Sequence, residues 1–210
     1  MIGDAFKYPL TDDDYLETLL IGSLLMIGSV LVLPLFVLIG FFIRTIRNAI
    51  NGDAPPQFER YGSLFVEGLK LTAVTFIYLI ALVTLAGLAS LAGSISETAG
   101  TVGFLVLVLA YFGLIYVSTS VLFHFSRRGR MRDAFDPRAV LTTAFSLRYL
   151  LVVVLWLFVL PTVLAVGQLL LAVTIVGLLL VPATLVYELV VYGKLIGDLP
   201  DPTETAVEHS

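Results

Sequence analysis

The sequence predicts an all-α fold: a polytopic bundle of about five transmembrane helices, with interfacial helical segments in its loops. Three observations predict it. Hydrophobic residues make up 59% of the 210-residue chain and charged residues 13%, with a mean hydropathy of +1.01. Soluble domains are roughly 45–50% apolar and 25% charged. The charges are also segregated, leaving uncharged runs over 18–43 (26 residues), 71–96 (26), 98–126 (29) and 149–187 (39). About 20 apolar residues cross a bilayer, so the first three runs fit one crossing each and the fourth fits a hairpin. Finally, the basic residues are clustered. Loop 44–70 carries four, loop 127–148 carries six and the C-terminal flank carries Lys194, against Lys7 alone on the other side. The positive-inside rule then places both large loops and the C-terminus in the cytoplasm and the N-terminus outside.

The first helix is expected to start at Thr11 as N-cap, with Asp12, Asp13 and Asp14 complementing its positive end. It runs through the membrane with a kink at Pro34, where a missing N–H must be compensated by packing. Re-entry at Pro34, which leaves the N-terminus inside, is the competing arrangement. Arg44 and Arg47 fall in its last turns, Gly52 supplies a left-handed stop, and Pro55 and Pro56 prevent continuation. Phe58, Tyr61, Phe65 and Leu69 recur at helical spacing, predicting a short interfacial helix that feeds the second span. That span ends in "GLASLAGSISETAG", where Ala86, Ser90 and Ser94, and likewise Ala89 and Gly93, repeat every four residues. Such a stripe permits close helix approach, within the monomer in preference to a dimer face.

The third span is expected over about Thr101 to Phe125, with His124 at its interfacial end. The loop "FSRRGRMRDAFDPRAV" then gathers Arg127, Arg128, Arg130 and Arg132. Together with Arg44 and Arg47 these are candidate contacts for anionic lipid or a partner. Asp136 and Pro137 read as N-cap and first residue of a helix. The 39-residue run is twice the length one crossing needs, and its hairpin turn is expected at its midpoint, Gly167 and Gln168. That places Arg148 and Glu188 at one depth, where they are expected to face each other as an ion pair; separate snorkelling of each to the headgroups is the competing arrangement. Residues 1–197 form one membrane domain, followed by an acidic tail over 198–210.

The chain has no cysteine, which removes disulfides, thiolate catalysis and cysteine-ligated metals. It shows none of G-x-S-x-G, H-E-x-x-H or a phosphate-cradling glycine loop, and only two histidines. No catalytic, cofactor or metal residue is therefore expected, and the net charge of −4 argues against nucleic-acid binding. The opening residues lack the basic n-region of a signal peptide.

The strings "AFKYPLTDDDYLETLLIG", "GFFIRTIRNAINGDAPPQFERYGSLFVEGLK" and "MRDAFDPRAVLTTAFSLRYLL" carry a resemblance over nearly the whole chain. Through Tyr8, Pro9, Gly40, Arg44, Gly52, Pro55, Pro56, Gly68, Lys70, Ala134 and Phe135, the chain resembles the membrane-protein family numbered 4013 among domains of unknown function, seen in archaea and bacteria. It departs from that pattern at Phe41, where a tyrosine is expected. The resemblance implies a multi-pass protein of the cell membrane and no established activity. The reading that follows is a non-enzymatic scaffold or interaction protein, in contact with the bilayer and with a membrane partner or a second copy. The alternative is a small transporter or channel component, for which Gln168, Glu188 and Arg148 are the candidate intramembrane polar groups.

Overall fold

The computed structural model describes residues 2–12, 14–155 and 159–199. The side chains of Ile2, Arg128, Arg132, Asp133, Arg138, Ala139, Leu160, Ile175, Val176, Leu178 and Leu179 lie outside that description, as does the tail from 200 onward. All regular structure among the described residues is helical. The α-helices are α1 (Ile2–Lys7), α2 (Tyr15–Gly28), α3 (Leu33–Asn51), α4 (Tyr61–Ile95), α5 (Glu97–Arg128), α6 (Pro137–Ala144), α7 (Leu147–Val154), α8 (Leu160–Ala172) and α9 (Ile175–Gly197). Four of these helices contain a stretch long and apolar enough to cross a bilayer, and a bent N-terminal pair raises the number to five.

Most of the chain folds as three antiparallel hairpins. The first departs from the expected kinked helix. Pro34 sits in the first turn of α3, where its missing N–H costs nothing, and the chain breaks just before it at Val32, which has a φ of +65°. The result is two helices side by side. Gln57, just past α3, donates to Asp12 and Asp14, just before α2, at 3.2 Å each. Tyr8 donates to the Asp53 carbonyl at 2.9 Å, and Tyr187 of α9 donates to the Phe6 carbonyl. The N-terminus therefore shares a face with the Pro-Pro loop and the end of α9, correcting the expectation of opposite sides. Thr11 closes a turn onto the Tyr8 carbonyl and is not the N-cap, because α2 begins only at Tyr15.

At the end of α3, Gly52 takes the left-handed conformation (φ 76°). Its N–H reaches the Ala49 carbonyl at 3.3 Å, and that of Asp53 reaches Asn48 at 2.9 Å, the Schellman closure expected of glycine there. The predicted interfacial helix after the prolines is not separate. It is the first part of α4, which runs unbroken for 35 residues. Gly40 and Gly68 explain why α4 begins so early: a Cβ on Gly40 would overlap the Leu64 carbonyl, and one on Gly68 the Phe36 carbonyl. Backbone meets backbone there, burying Leu64 completely, while Phe58 stacks on Phe41 with ring centroids 4.0 Å apart.

Those two contacts set the register of α3 on α4 and place the first residue of α3 level with about Leu71. The remaining α4 residues, about two dozen, carry it some 36 Å further at 1.5 Å per residue. There α4 meets α5 through the small-residue stripe, with Gly100 against Gly93 and Gly103 against Ala89. The close approach is thus made inside the monomer.

The third hairpin exists, but its turn lies at Val173 and Thr174, not at Gly167 and Gln168. The Thr174 hydroxyl accepts from the Gly177 N–H at 2.9 Å, capping α9, and Gly177 lets the Leu171 carbonyl approach. Gly167 has no neighbour that needs it to be glycine and sits within α8. This shift of about six residues undoes the expected ion pair. Glu188 now lies opposite about position 159, while Arg148 is exposed at the hairpin's base, and no bond joins them. Helix α9 packs alongside α3 in the same direction, Gly193 on Thr45 and Gly197 on Ala49.

Candidate functional site

Polar side chains gather where α3, α4 and α5 converge near the basic face. Arg47 extends from the last turns of α3 and joins both neighbours. Its Nε donates to the Ser126 carbonyl of α5 at 2.9 Å, and its Nη1 pairs with Glu67 Oε1 of α4 at 3.0 Å. One turn earlier Arg44 donates to the Glu59 carbonyl at 3.2 Å and the Ser63 hydroxyl at 2.8 Å. Two buried oxygens around Arg47, Glu67 Oε2 and Ser126 Oγ, have no partner among the described residues. Such atoms cost about 1–3 kcal/mol each unless a water or ligand meets them.

A second set follows one face of α5: Tyr116, Thr119, Ser120, His124 and Arg127 recur every three or four residues. Tyr116 donates to the Ala144 carbonyl at 2.6 Å, and Ser120 to the Val140 carbonyl at 2.9 Å. Thr119 and the Tyr192 hydroxyl of α9 lie 3.2 Å apart. Tyr149, fully buried, donates to the Tyr116 carbonyl and receives the Ser120 N–H at 3.3 Å. His124 Nε2 and the Thr143 hydroxyl are 3.0 Å apart, the spacing of a base and its nucleophile. Yet they are only 6% and 1% exposed, which leaves a substrate no approach. What the stripe does is fasten the α6–α7 segment and α9 to α5.

A family model described as a protein of unknown function, DUF4013, matches residues 23–181. The chain belongs to the DUF4013 family. No curated protein and no solved structure matches it. Within the matched region, Gly40 and Gly68 make close backbone contacts between α3 and α4, and Arg44 ties the start of α4 to α3. Pro55 and Pro56 are buried in the connection between them.

The residues singled out from sequence are distributed unevenly. Arg44 and Arg47 are engaged within the helices as described. Arg127 is half-buried and partnered, Arg130 is exposed, and the side chains of Arg128 and Arg132 lie outside the described residues. Gln168 reaches Thr184 across the α8–α9 hairpin at 3.4 Å, and Glu188 is half-buried. Glu67, which the sequence did not single out, holds Arg47. The α5 stripe was missed as a set, although Tyr116, Ser120 and His124 stand four apart in the sequence. A scan for polar periodicity inside the apolar run would have found it. At the basic face, Tyr8 is held protonated: burial raises its pKa well above 10, and the nearby Asp53 and Asp198 charges raise it further.

Proposed function

We propose that this DUF4013 protein is a non-enzymatic scaffold or interaction protein of the cell membrane, with both termini and both large loops in the cytoplasm. The orientation rests on charge. Docking α1 on α9 brings Lys7 to the end of the molecule that carries Arg44, Arg47 and Lys194, whereas the α4–α5 tip carries Glu97 and no basic residue.

The scaffold reading rests on how the polar groups are used. In the described helices, Arg47, Ser120, Tyr116 and Tyr149 spend their hydrogen bonds on other helices or the α6–α7 segment. They do not line a passage. The outer part of the α4–α5 hairpin has no buried residue from 75 to 118, so it stands in the bilayer with both flanks open to another chain.

Affinity purification from native membranes in mild detergent tests the reading, coupled to cross-linking from single cysteines at Leu88 and Leu109 on the hairpin. A specific cross-linked membrane partner or self-adduct is expected. A monomer without adducts, together with solute flux after reconstitution that is lost in Gln168→Leu, would replace the scaffold with the transporter reading.

A further inference from the structure

The three hairpins end in turns of opposite character. Between α4 and α5 the turn carries Ser94, Ser96, Glu97 and Thr98, all exposed. Between α2 and α3 it presents Val30, 87% exposed, with Leu31, Val32 and Leu33, and between α8 and α9 it presents Val173, 81% exposed. The polar groups of these two turns are spent internally. Ser29 donates to the Met26 carbonyl at 2.6 Å and Thr174 to the Leu171 carbonyl at 3.2 Å. The Val32 N–H reaches the Ser29 carbonyl at 2.9 Å, that of Leu35 the Val32 carbonyl at 3.1 Å, and that of Thr174 the Leu171 carbonyl at 3.0 Å. Such closure is what a turn needs where no water is present. Val32 holds it at a φ of +65°, a conformation glycine takes freely, yet the position carries a branched apolar side chain that faces outward.

The depth of each turn follows from the charge nearest to it. From Lys70 to Ile95, α4 rises about 37 Å at 1.5 Å per residue, enough to cross a hydrocarbon core of about 30 Å. From Arg44 back to Leu33, α3 rises only about 16 Å, and from Glu188 back to the start of α9 the rise is about 20 Å. By residue count α3 and α9 are long enough to cross, but charge occupies the part nearest the basic face, and both end near mid-bilayer. Packing agrees with this. Gly22 of α2 lies against Val186 of α9, and Gly193 of α9 against Thr45 of α3, so the first and third hairpins stand side by side. Beyond them no residue from 75 to 118 is buried, as follows where the neighbours of α4 and α5 have ended.

We propose that the first and third hairpins are re-entrant: they enter the bilayer from the basic face, turn inside it and return, while only α4–α5 crosses. Helices α2, α3, α8 and α9, each about 10 Å across, then displace lipid from the leaflet on the basic face and not from the other. A body wider in one leaflet fits a membrane in which that leaflet is the convex one, so the partner is a curved lipid surface. Such insertion does not depend on the scaffold reading and holds whichever compartment the basic face meets.

The test uses the full chain, free of native cysteine, reconstituted in vesicles of phosphatidylcholine and phosphatidylglycerol. Val30→Cys, Val173→Cys and Ser96→Cys each carry a bimane probe, and monodisperse elution selects the variants that remain folded. The probe at 96 should be quenched by aqueous iodide, and those at 30 and 173 by phospholipid brominated near its chain ends. Labelling of Val30→Cys or Val173→Cys by an impermeant maleimide, from the side that labels Ser96→Cys, would make the hairpins full crossings and overturn the proposal. A second readout is orientation in small and large vesicles, scored by maleimide labelling of Ala54→Cys in the Pro-Pro loop. The fraction of chains with this loop outward, on the convex leaflet, should rise as vesicle diameter falls. The same fraction at both diameters would also overturn it.

Discussion

The two ends of the α4–α5 hairpin are built from similar apolar residues and behave differently. Toward the basic face, α4 buries Leu64, Gly68, Leu71 and Val74, and α5 buries Thr119 to Ser126 except for half-buried Leu122. Close backbone contact locks α4 to α3, and Arg47 ties both helices to it. Toward the tip, no residue from 75 to 118 is buried, and the helices hold chiefly each other. The difference teaches that composition puts a helix in the membrane, whereas close backbone approach and a few polar ties decide which part of it becomes protein core. In lipid there is no hydrophobic gain from burying one leucine against another, so packing and hydrogen bonding must supply the association.

Glycine separates the two ends most sharply. Gly40→Ala or Gly68→Ala should cost about 3 kcal/mol or more, because the added methyl meets an immovable carbonyl and α3 must part from α4. The same change at Gly87 or Gly113, where nothing lies within 4 Å, should be neutral or stabilise by about 0.5–1 kcal/mol. SDS-driven unfolding in detergent measures both. Equal effects at Gly40 and Gly87 would erase the distinction.

The polar tie comes next. Arg47→Ala should lower stability by about 3 kcal/mol, because Glu67 is left partly buried without its partner. Adding Glu67→Gln should recover part of that loss, and exposed Arg130→Ala should stay within about 0.5 kcal/mol. A loss in Arg47→Ala no larger than in Arg130→Ala would show that three helices do not depend on this side chain.

Ser126 sharpens the same region in the other direction. Its hydroxyl is buried without a partner among the described residues, so Ser126→Ala should stabilise by up to about 1 kcal/mol. Destabilisation would reveal a bound water or ligand completing the site.

The smallest effect concerns the N-terminal segment on the basic face. Because the folded pKa of Tyr8 is raised above its ordinary 10.0, the stability it contributes is complete below about pH 10 and is lost as pH rises further. Proteolysis of residues 1–12 should therefore accelerate in alkali, and Tyr8→Phe should remove most of that pH dependence. Alkaline release that is identical in Tyr8→Phe would assign the effect to another group.

By itself the sequence determined the membrane setting, the helical class, the stop at Gly52 with its two prolines, and the helix start at Pro137. Each follows from local chemistry: run length, missing N–H groups, and left-handed geometry open to glycine. It also held the small-residue stripe that closes the α4–α5 tip. Only the tertiary structure decided that Pro34 begins a new helix, that the N-terminus returns to the basic face, and that the last hairpin turns at Thr174. It also decided that Arg47 and Glu67 pair where Arg148 and Glu188 do not. A proline can kink a helix or start one, and a long uniform apolar run has many positions where it could turn. What selects among them is the neighbour that each arrangement meets, as the Phe36 and Leu64 carbonyls meet Gly68 and Gly40, and that neighbour is remote in the chain.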